Sequence, residues 1–477
     1  WSEACRRTFD SIQELRIVLQ EDAEGLVDQR VYDGLEADVR IVSAVPGEDF
    51  EACLKRDCRL PFDLYAGPLC RFRLYERGDE SSVFSFVMHH ILCDGRSISA
   101  VVAEVLRSYQ MLRSGKDLVA CSTTLPSFFE FIEWQKQWLI TPAAETTKAY
   151  WLERLQGLSD IPTLPFAKIA EPGARFQGES VFMSVSVDLM ARIRRLGVEQ
   201  NVTPFVVLLS AFYSLLSRFN GSEKQALVTP FHGRTKSSFS DSVGYFLNMV
   251  PLLGDVREDL SFSALLQSVH QSVGEAMQHG DYPFARLSRE FGKQSGRPLS
   301  EVIRNGFYYH NTDRDQIRQE GEGILDQQIS SIHQEGELEL VMDCIQVGDT
   351  LNLFLKYETA IYDQAAVEDF LERYLVLIES VTKNPELPIF EYRLLSEAEE
   401  QAMIFERNRT EVALPDPALL HSLISARAQE RAAAPAVHFK GNHVSYTQLD
   451  EQSNQVAQVL HKAGVGSGDF VGVFMPR

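Results

Sequence analysis

Residues 83–112 change their hydrophobic period halfway along, and this limits what the chain can become. VFSFVM (83–88) is a short apolar run and reads as a buried strand. SISAVVAEVLRSYQML (97–112) instead sets Ile98, Val101, Val102, Val105, Leu106, Tyr109 and Leu112 at helical spacing. Between them, the segment His89–Gly95 makes a tight link in which Gly95 permits a sharp backbone path. Ser97 is the expected N-cap of the helix. A strand that passes this abruptly into a helix is a unit of a mixed α/β fold, and LCRFRLY (69–75), which alternates in character, supplies another strand.

The same reading extends along the chain. Helices are expected near 127–139 and 144–156, and Pro162, Pro165, Pro172 and Gly173 mark 158–178 as a crossover linker. A second α/β region follows, with helices at 204–219, 262–278 and 364–382. Its strands are expected at 226–230, 305–310, 338–346 and 351–357, with an apolar stretch at 243–253. The polar, Gly-punctuated 312–337 reads as a loop. Residues 396–417 read as a connector, after which the order is helix, strand, turn, helix (447–463), Gly-rich turn and the strand-like GDFVGVFMP. At about 150 residues per domain, 477 residues suggest three units. The last, of about 60 residues, is too short to close a core easily. It reads as the start of a truncated domain, and both chain ends read as cuts through a longer polypeptide.

Charge and cysteine usage exclude several classes. The 46 basic and 67 acidic residues leave a net charge of −21, which disfavours general binding to nucleic acid or an anionic membrane. No apolar run is long enough for a membrane span, and no signal peptide is visible. Seven scattered cysteines without a CxxC read as reduced thiols of a cytoplasmic protein.

The residues that carry chemistry lie in the 89–95 link. A histidine at a strand end suits proton transfer at neutral pH. Asp94 has three jobs open to it: holding a ring nitrogen, capping the helix, or pairing with a buried arginine. Gly95 offers a backbone N–H near a helix N-terminus to a developing oxyanion. A metal is not expected. Adjacent histidines on a strand point to opposite faces, and no second ligand cluster has matching spacing. There is no GxSxG elbow, GVGSGD (464–469) lacks the Lys-Ser/Thr of a phosphate loop, and Cys93 reads as a small packed residue.

The HHxxxDG segment His89–Gly95 resembles the active-site motif of condensation domains from nonribosomal peptide synthetases. Six further segments resemble that family in its order: PFDLYAGPLCR (61–71), YWLERLQG (150–157), FHGR (231–234), VGYFLNMVPL (243–252), HGDYPF (279–284) and FYYHN (307–311). The resemblance covers roughly residues 1–395 and begins after the family's opening segment, so an early helix and strand of the first lobe are expected to be missing. NRTEVALPDPALL and VSYTQLDEQSNQVAQVL resemble the linker and first segment of an adenylation domain. That likeness stops before any nucleotide-binding loop or catalytic lysine, so no ATP use is expected.

This resemblance implies an α/β fold of two chloramphenicol-acetyltransferase-like lobes in a V, followed by a linker and a partial adenylation domain. The boundaries it implies are 1–157 and 158–395 for the lobes, 396–417 for the linker and 418–477 for the adenylation start. The implied activity is amide-bond formation. An acyl or peptidyl group moves from an upstream carrier-bound thioester to the amine of a downstream aminoacyl thioester. No cofactor is held tightly, because the substrates arrive on 4'-phosphopantetheine arms of carrier domains. Those carrier domains and the adjoining adenylation domain are the implied partners.

His90 is implied as base or positioner and Gly95 as oxyanion donor. His89 is implied to shape the turn, Asp94 to pair with Arg71 as a structural salt bridge, and Asn248 to support the seam. Arg96 stands where the family often has Trp, and either lines the channel or points to solvent. The alternatives are a non-catalytic carrier-docking module, or an acyltransferase or epimerization domain of the same fold. A heterocyclization domain fits poorly, since it carries DxxxxD in place of HHxxxDG. GRTKSSFSDSVGYFLNMVPL (233–252) is also similar to condensation domains that receive polyketide or lipid donors.

Overall fold

The structure, a computed structural model, describes all residues except 26, 44–49, 77–81, 116–126, 159–161, 170–176, 313–337, 414–418 and 476–477. The expected loop beyond Thr312, Cys121, Pro172, Gly173, Pro415 and Pro417 lie outside the described residues. Contacts divide the chain into two compact units, Trp1–Ser396 and Glu397–Arg477.

In the first unit, a ribbon of β1 (Ile17–Glu21) and β2 (Val27–Val31) precedes a three-stranded sheet. That sheet has the order β3 (Asp38–Ser43), β4 (Cys70–Glu76), β5 (Ser82–Met88). Among the described residues β5 pairs with β4 alone, and it is only half-buried, where the apolar run suggested full burial. It hands the chain to a single 3-10 turn, His90–Leu92, and then to the helix Gly95–Arg113. The helix buries Val101 and Val105 against Cys5, Phe9, Cys70 and Phe72. The N-cap is Asp94, not Ser97. The Asp94 carboxylate accepts the Ser97 N–H (2.9 Å), so the helix starts two residues before Ser97.

Further along the same unit, β6 (Gly178–Val185), β7 (Lys224–Phe231), β8 (Asn248–Asp255), β9 (Asn305–Thr312), β10 (Leu340–Val347) and β11 (Thr350–Glu358) form one sheet. Their order is β6-β11-β10-β9-β7-β8. The apolar stretch at 243–253 is therefore split into a loop up to Leu247 and a strand from Asn248.

The helix Pro204–Asn220 packs on this sheet. Thr203 caps the Val206 N–H, Pro204 presets the first turn, and Gly221 ends the helix in the left-handed region (φ 70°). Val206–Ser217 are all buried, so the helix is apolar around its whole girth. The helix Gln364–Val381 packs against it, and its Tyr374 hydroxyl donates to the Leu208 carbonyl (2.8 Å).

Trp151 and Leu155, on and just after the helix Pro142–Arg154, sit in the core of the second sheet. Trp151 also donates to the His279 carbonyl (2.9 Å).

In the second unit, the stretch read as a connector holds a helix, Glu397–Gln401, that runs into a π-turn, Ala402–Glu406. The helix Leu420–Glu430, a hairpin of β12 (Pro435–Phe439) and β13 (Asn442–Ser445), and the helix Tyr446–Lys462 follow. A reciprocal capping box between Ser445 and Gln448 starts that last helix. No strand forms over 469–475. Phe470 and Phe474 are fully exposed there, and an extended segment without a neighbour builds no ladder. Among the described residues no single helix is long and apolar enough to cross a membrane.

Candidate active site

The link between β5 and its helix is shaped by its own side chains. The His89 N–H donates to the Leu69 carbonyl (2.8 Å), and His89 Nδ1 accepts the Ile91 N–H (3.2 Å). The His89 ring is half-buried, edge-on to Phe62, and burial followed by the neighbouring His90 pulls its pKa below the usual imidazole value. His89 therefore shapes the turn, with its Nδ1 as an acceptor for the backbone. His90 stands exposed on the other side, its ring 5.5 Å from that of Tyr245 at 67°. The two imidazoles face different aromatic partners.

Gly95 is the first residue of the helix, where N–H groups have no intrahelical carbonyl to meet. It is exposed, and a Cβ built on it would touch nothing within 4 Å. Arg96 beside it is exposed as well.

Asp94, four residues beyond His90, is committed elsewhere. It is only 4% exposed, and its partner is Arg234 of the second lobe, not Arg71. Arg234 Nη1 pairs with Asp94 Oδ2, and Nη2 donates to Asp94 Oδ1 (3.0 Å), to Ser97 Oγ (3.1 Å) and to the Ser242 carbonyl (3.0 Å). The guanidinium lies over the Phe246 ring, 4.2 Å from its centroid. Arg71 is kept away by register. It sits on β4 directly opposite Asp38 of β3, with its Nε 3.9 Å from that carboxylate. It also donates to the Leu60 (2.8 Å) and Pro61 carbonyls and stacks on Phe62, which fixes the segment beneath the His89 ring.

The Ser97 hydroxyl completes the junction. It has one proton for two acceptors, Asp94 Oδ1 at 2.8 Å and the Gly244 carbonyl at 2.7 Å, and it accepts the Gly244 N–H (3.1 Å). The Phe246 N–H points to Asp94 Oδ2 (3.3 Å). Gly233, before the arginine, has φ 62°, and a Cβ there would lie 1.9 Å from the Phe246 carbonyl oxygen, so only glycine fits.

Asn248 bonds within its own lobe. Its amide donates to the Gly280 and Tyr282 carbonyls (2.7 and 2.8 Å) and its oxygen accepts the Phe284 N–H (2.8 Å). It thereby fixes the turn that holds Asp281, whose half-buried carboxyl burial raises above the usual range and which lies near Thr235 and His232. Sequence reasoning missed Arg234, Gly244, Tyr245, Phe246 and Asp281 as members of this constellation. The segments FHGR, VGYFLNMVPL and HGDYPF carried them, but no local pattern joins residue 94 to residue 234.

Comparison with known proteins shows the family. The condensation-domain family matches residues 2–404, and the AMP-binding enzyme family matches residues 424–477. The chain belongs to the condensation-domain family. It is 30% identical over 423 residues to a linear gramicidin synthase of Brevibacillus parabrevis, covering 87% of this chain and 8% of that protein. It is 26% identical to polyketide synthase PksN of Bacillus subtilis (strain 168), covering 91% of this chain and 8% of that protein. The chain thus spans under a tenth of the length of these relatives.

Among solved structures, a four-domain nonribosomal peptide synthetase bound to AMP and glycine superposes with a TM-score of 0.78 at 21% identity, covering 98% of this chain and 36% of that one. The condensation domain of the Monacolin K polyketide synthase MokA gives 0.70 at 18% identity, covering 81% and 90%. The mixed α/β fold is that of condensation domains.

Proposed function

We propose that this chain forms amide bonds in nonribosomal peptide synthesis, moving an acyl or peptidyl group from one carrier-bound thioester to the amine of another. The observation that carries the reading is the division of labour in the 89–95 link. Asp94 is buried and fully engaged and His89 is turned inward, while His90 and Gly95 are exposed. The chemistry asks little of so sparse a site. An α-amine of pKa about 8 is roughly one-tenth neutral at pH 7, and a thioester is already activated. As the amine nitrogen bonds to the acyl carbon, its proton passes to His90 and charge gathers on the acyl oxygen. The Gly95 N–H, at a helix N-terminus, faces that charge. The C–S bond then breaks and the thiolate takes a proton. Holding both reactants side by side supplies up to about 7–11 kcal/mol in favourable systems.

The substrates arrive on phosphopantetheine arms of an upstream and a downstream carrier domain. Residues 418–477 open an adenylation domain that serves as the adjoining partner. The free thiols of Cys5, Cys53, Cys58, Cys70, Cys93 and Cys344 support a cytoplasmic setting. Similarity to PksN and to the MokA domain supports a polyketide-derived donor as a second reading of the upstream group.

His90→Ala, assayed with acyl- and aminoacyl-loaded carrier domains, is expected to slow product formation by about 10²-fold or more while the melting temperature stays put. Undiminished product formation would remove His90 from the chemistry. A wild-type chain that binds both loaded carriers and never joins their cargo would leave only a docking module.

A further inference from the structure

The loop between β7 and β8 brings more than an arginine to the junction. Residues 244–246 pass the His90 turn, and the first and last of the three are tied down separately. Gly244 has both its N–H and its carbonyl on the Ser97 hydroxyl (3.1 and 2.7 Å). A Cβ on Gly244 would lie 2.3 Å from the Phe128 ring, so no side chain fits. Phe246 has its N–H on Asp94, and its ring is buried under the Arg234 guanidinium and against Phe128 and Phe131. With the residues on either side fixed, the backbone of Tyr245 has little freedom. Its side chain stays partly accessible. It is 37% exposed, and its ring rests 5.5 Å from the imidazole of His90, edge to face.

We propose that Tyr245 is a positioning residue for His90. An exposed histidine samples several rotamers. A ring held against one side of the imidazole selects the rotamer from which it reaches the amine. The buried Asp94–Arg234–Ser97 network then has a task beyond joining the lobes, because it fixes the loop that carries the positioning ring. This inference rests on the acyl-transfer reading above and adds to it the group from the second lobe that prepares the first lobe's imidazole.

The test is Tyr245→Leu and Tyr245→Phe, each made alone and in a His90→Ala background, with single-turnover transfer between loaded carrier domains as the readout. Tyr245→Leu is expected to lower the single-turnover rate constant about tenfold, since small misplacements of a reacting group are costly, with the half-saturating concentration of both carriers and the melting temperature unchanged. Tyr245→Phe keeps the ring and is expected to stay within about twofold of the parent. In the His90→Ala background, Tyr245→Leu is expected to add nothing.

Three results overturn the proposal: parental activity in Tyr245→Leu, an equal loss in Tyr245→Phe, or the same tenfold loss with His90 already gone. The first denies the ring a role, the second assigns the role to the hydroxyl, and the third makes the ring act on the substrate and not through the imidazole. A fully active His90→Ala fails the acyl-transfer reading itself and is seen separately, in the single variant.

Discussion

The second lobe is built around one continuous core, while the first is an assembly of small clusters. In the second lobe, Tyr213, Phe262, Phe307, Phe370 and Tyr374 belong to a single packed body that spans the six-stranded sheet. In the first, Cys5, Phe9 and Phe72 form one cluster, Ile17, Leu69 and Leu92 another, and Cys53, Leu54 and Tyr75 a third. The smaller lobe also borrows. Val243, from the loop between β7 and β8, sits among Cys5, Phe9 and Val105, and Phe246 completes a cluster with Phe128, Phe131 and Phe239.

Buried carboxylates follow the same division. Asp343 of the second lobe finds Lys356 Nζ (2.7 Å) and His310 Nε2 (3.3 Å) on the two strands beside its own, whereas Asp94 finds Arg234 across the junction. The lobe that carries His90 is thus completed by the other one.

The sharpest way to break this comparison is Arg234→Met. It strands the buried Asp94 carboxylate and is expected to cost about 3–5 kcal/mol, read by urea unfolding. The first lobe should loosen first, with exchange of the Gly95–Arg113 helix amides rising ahead of those in Pro204–Asn220. Uniform loosening of both lobes would mean that the junction is no weak seam.

Lys356→Met should cost less, about 2 kcal/mol at pH 7, because Lys356 remains partly exposed. Burial raises the pKa of Asp343, but His310 and Lys356 outweigh it and hold it below the usual value. A carboxyl depressed by folding stabilises the protein above its unfolded pKa of about 4 and loses that contribution as pH falls through the folded value. The gap between parent and Lys356→Met should therefore close as the pH drops below about 4. A gap independent of pH would assign Lys356 to packing alone.

Val243→Ala, expected to cost roughly 1–2 kcal/mol, tests the borrowed core residue. Its effect should appear in the first lobe even though its chain neighbours belong to the second.

Much of this architecture is legible in the sequence because it is local. The period change over 83–112, the caps around Pro204–Asn220 and the alternation in 69–75 depend on neighbours a few residues away. Asp94 shows where such reading stops. Capping is one of three jobs open to Asp94, yet Ser97 is the residue the sequence nominates, since an isolated serine before an apolar run looks the same whether it caps or turns inward. The arginine is misassigned because Arg71 and Arg234 are equally eligible by type. What separates them is the sheet register that sets Arg71 opposite Asp38. Tyr245 gives no signal, since an aromatic residue in an apolar stretch reads as core. The strand expected in GDFVGVFMP shows the reverse error, in which a residue pattern suits a ladder but no neighbouring strand pairs with it.

The bond between Asp94 and Arg234 also sets an order of events during synthesis. The two residues are 140 positions apart, and at about 5–20 residues per second a ribosome needs roughly 7–30 s to span that gap. Throughout that interval the nascent His90 turn has its helix end but neither its arginine nor its tyrosine. A chaperone that waits on the emerging chain would meet an unfinished first lobe, and the site would assemble only when the loop after β7 clears the exit tunnel.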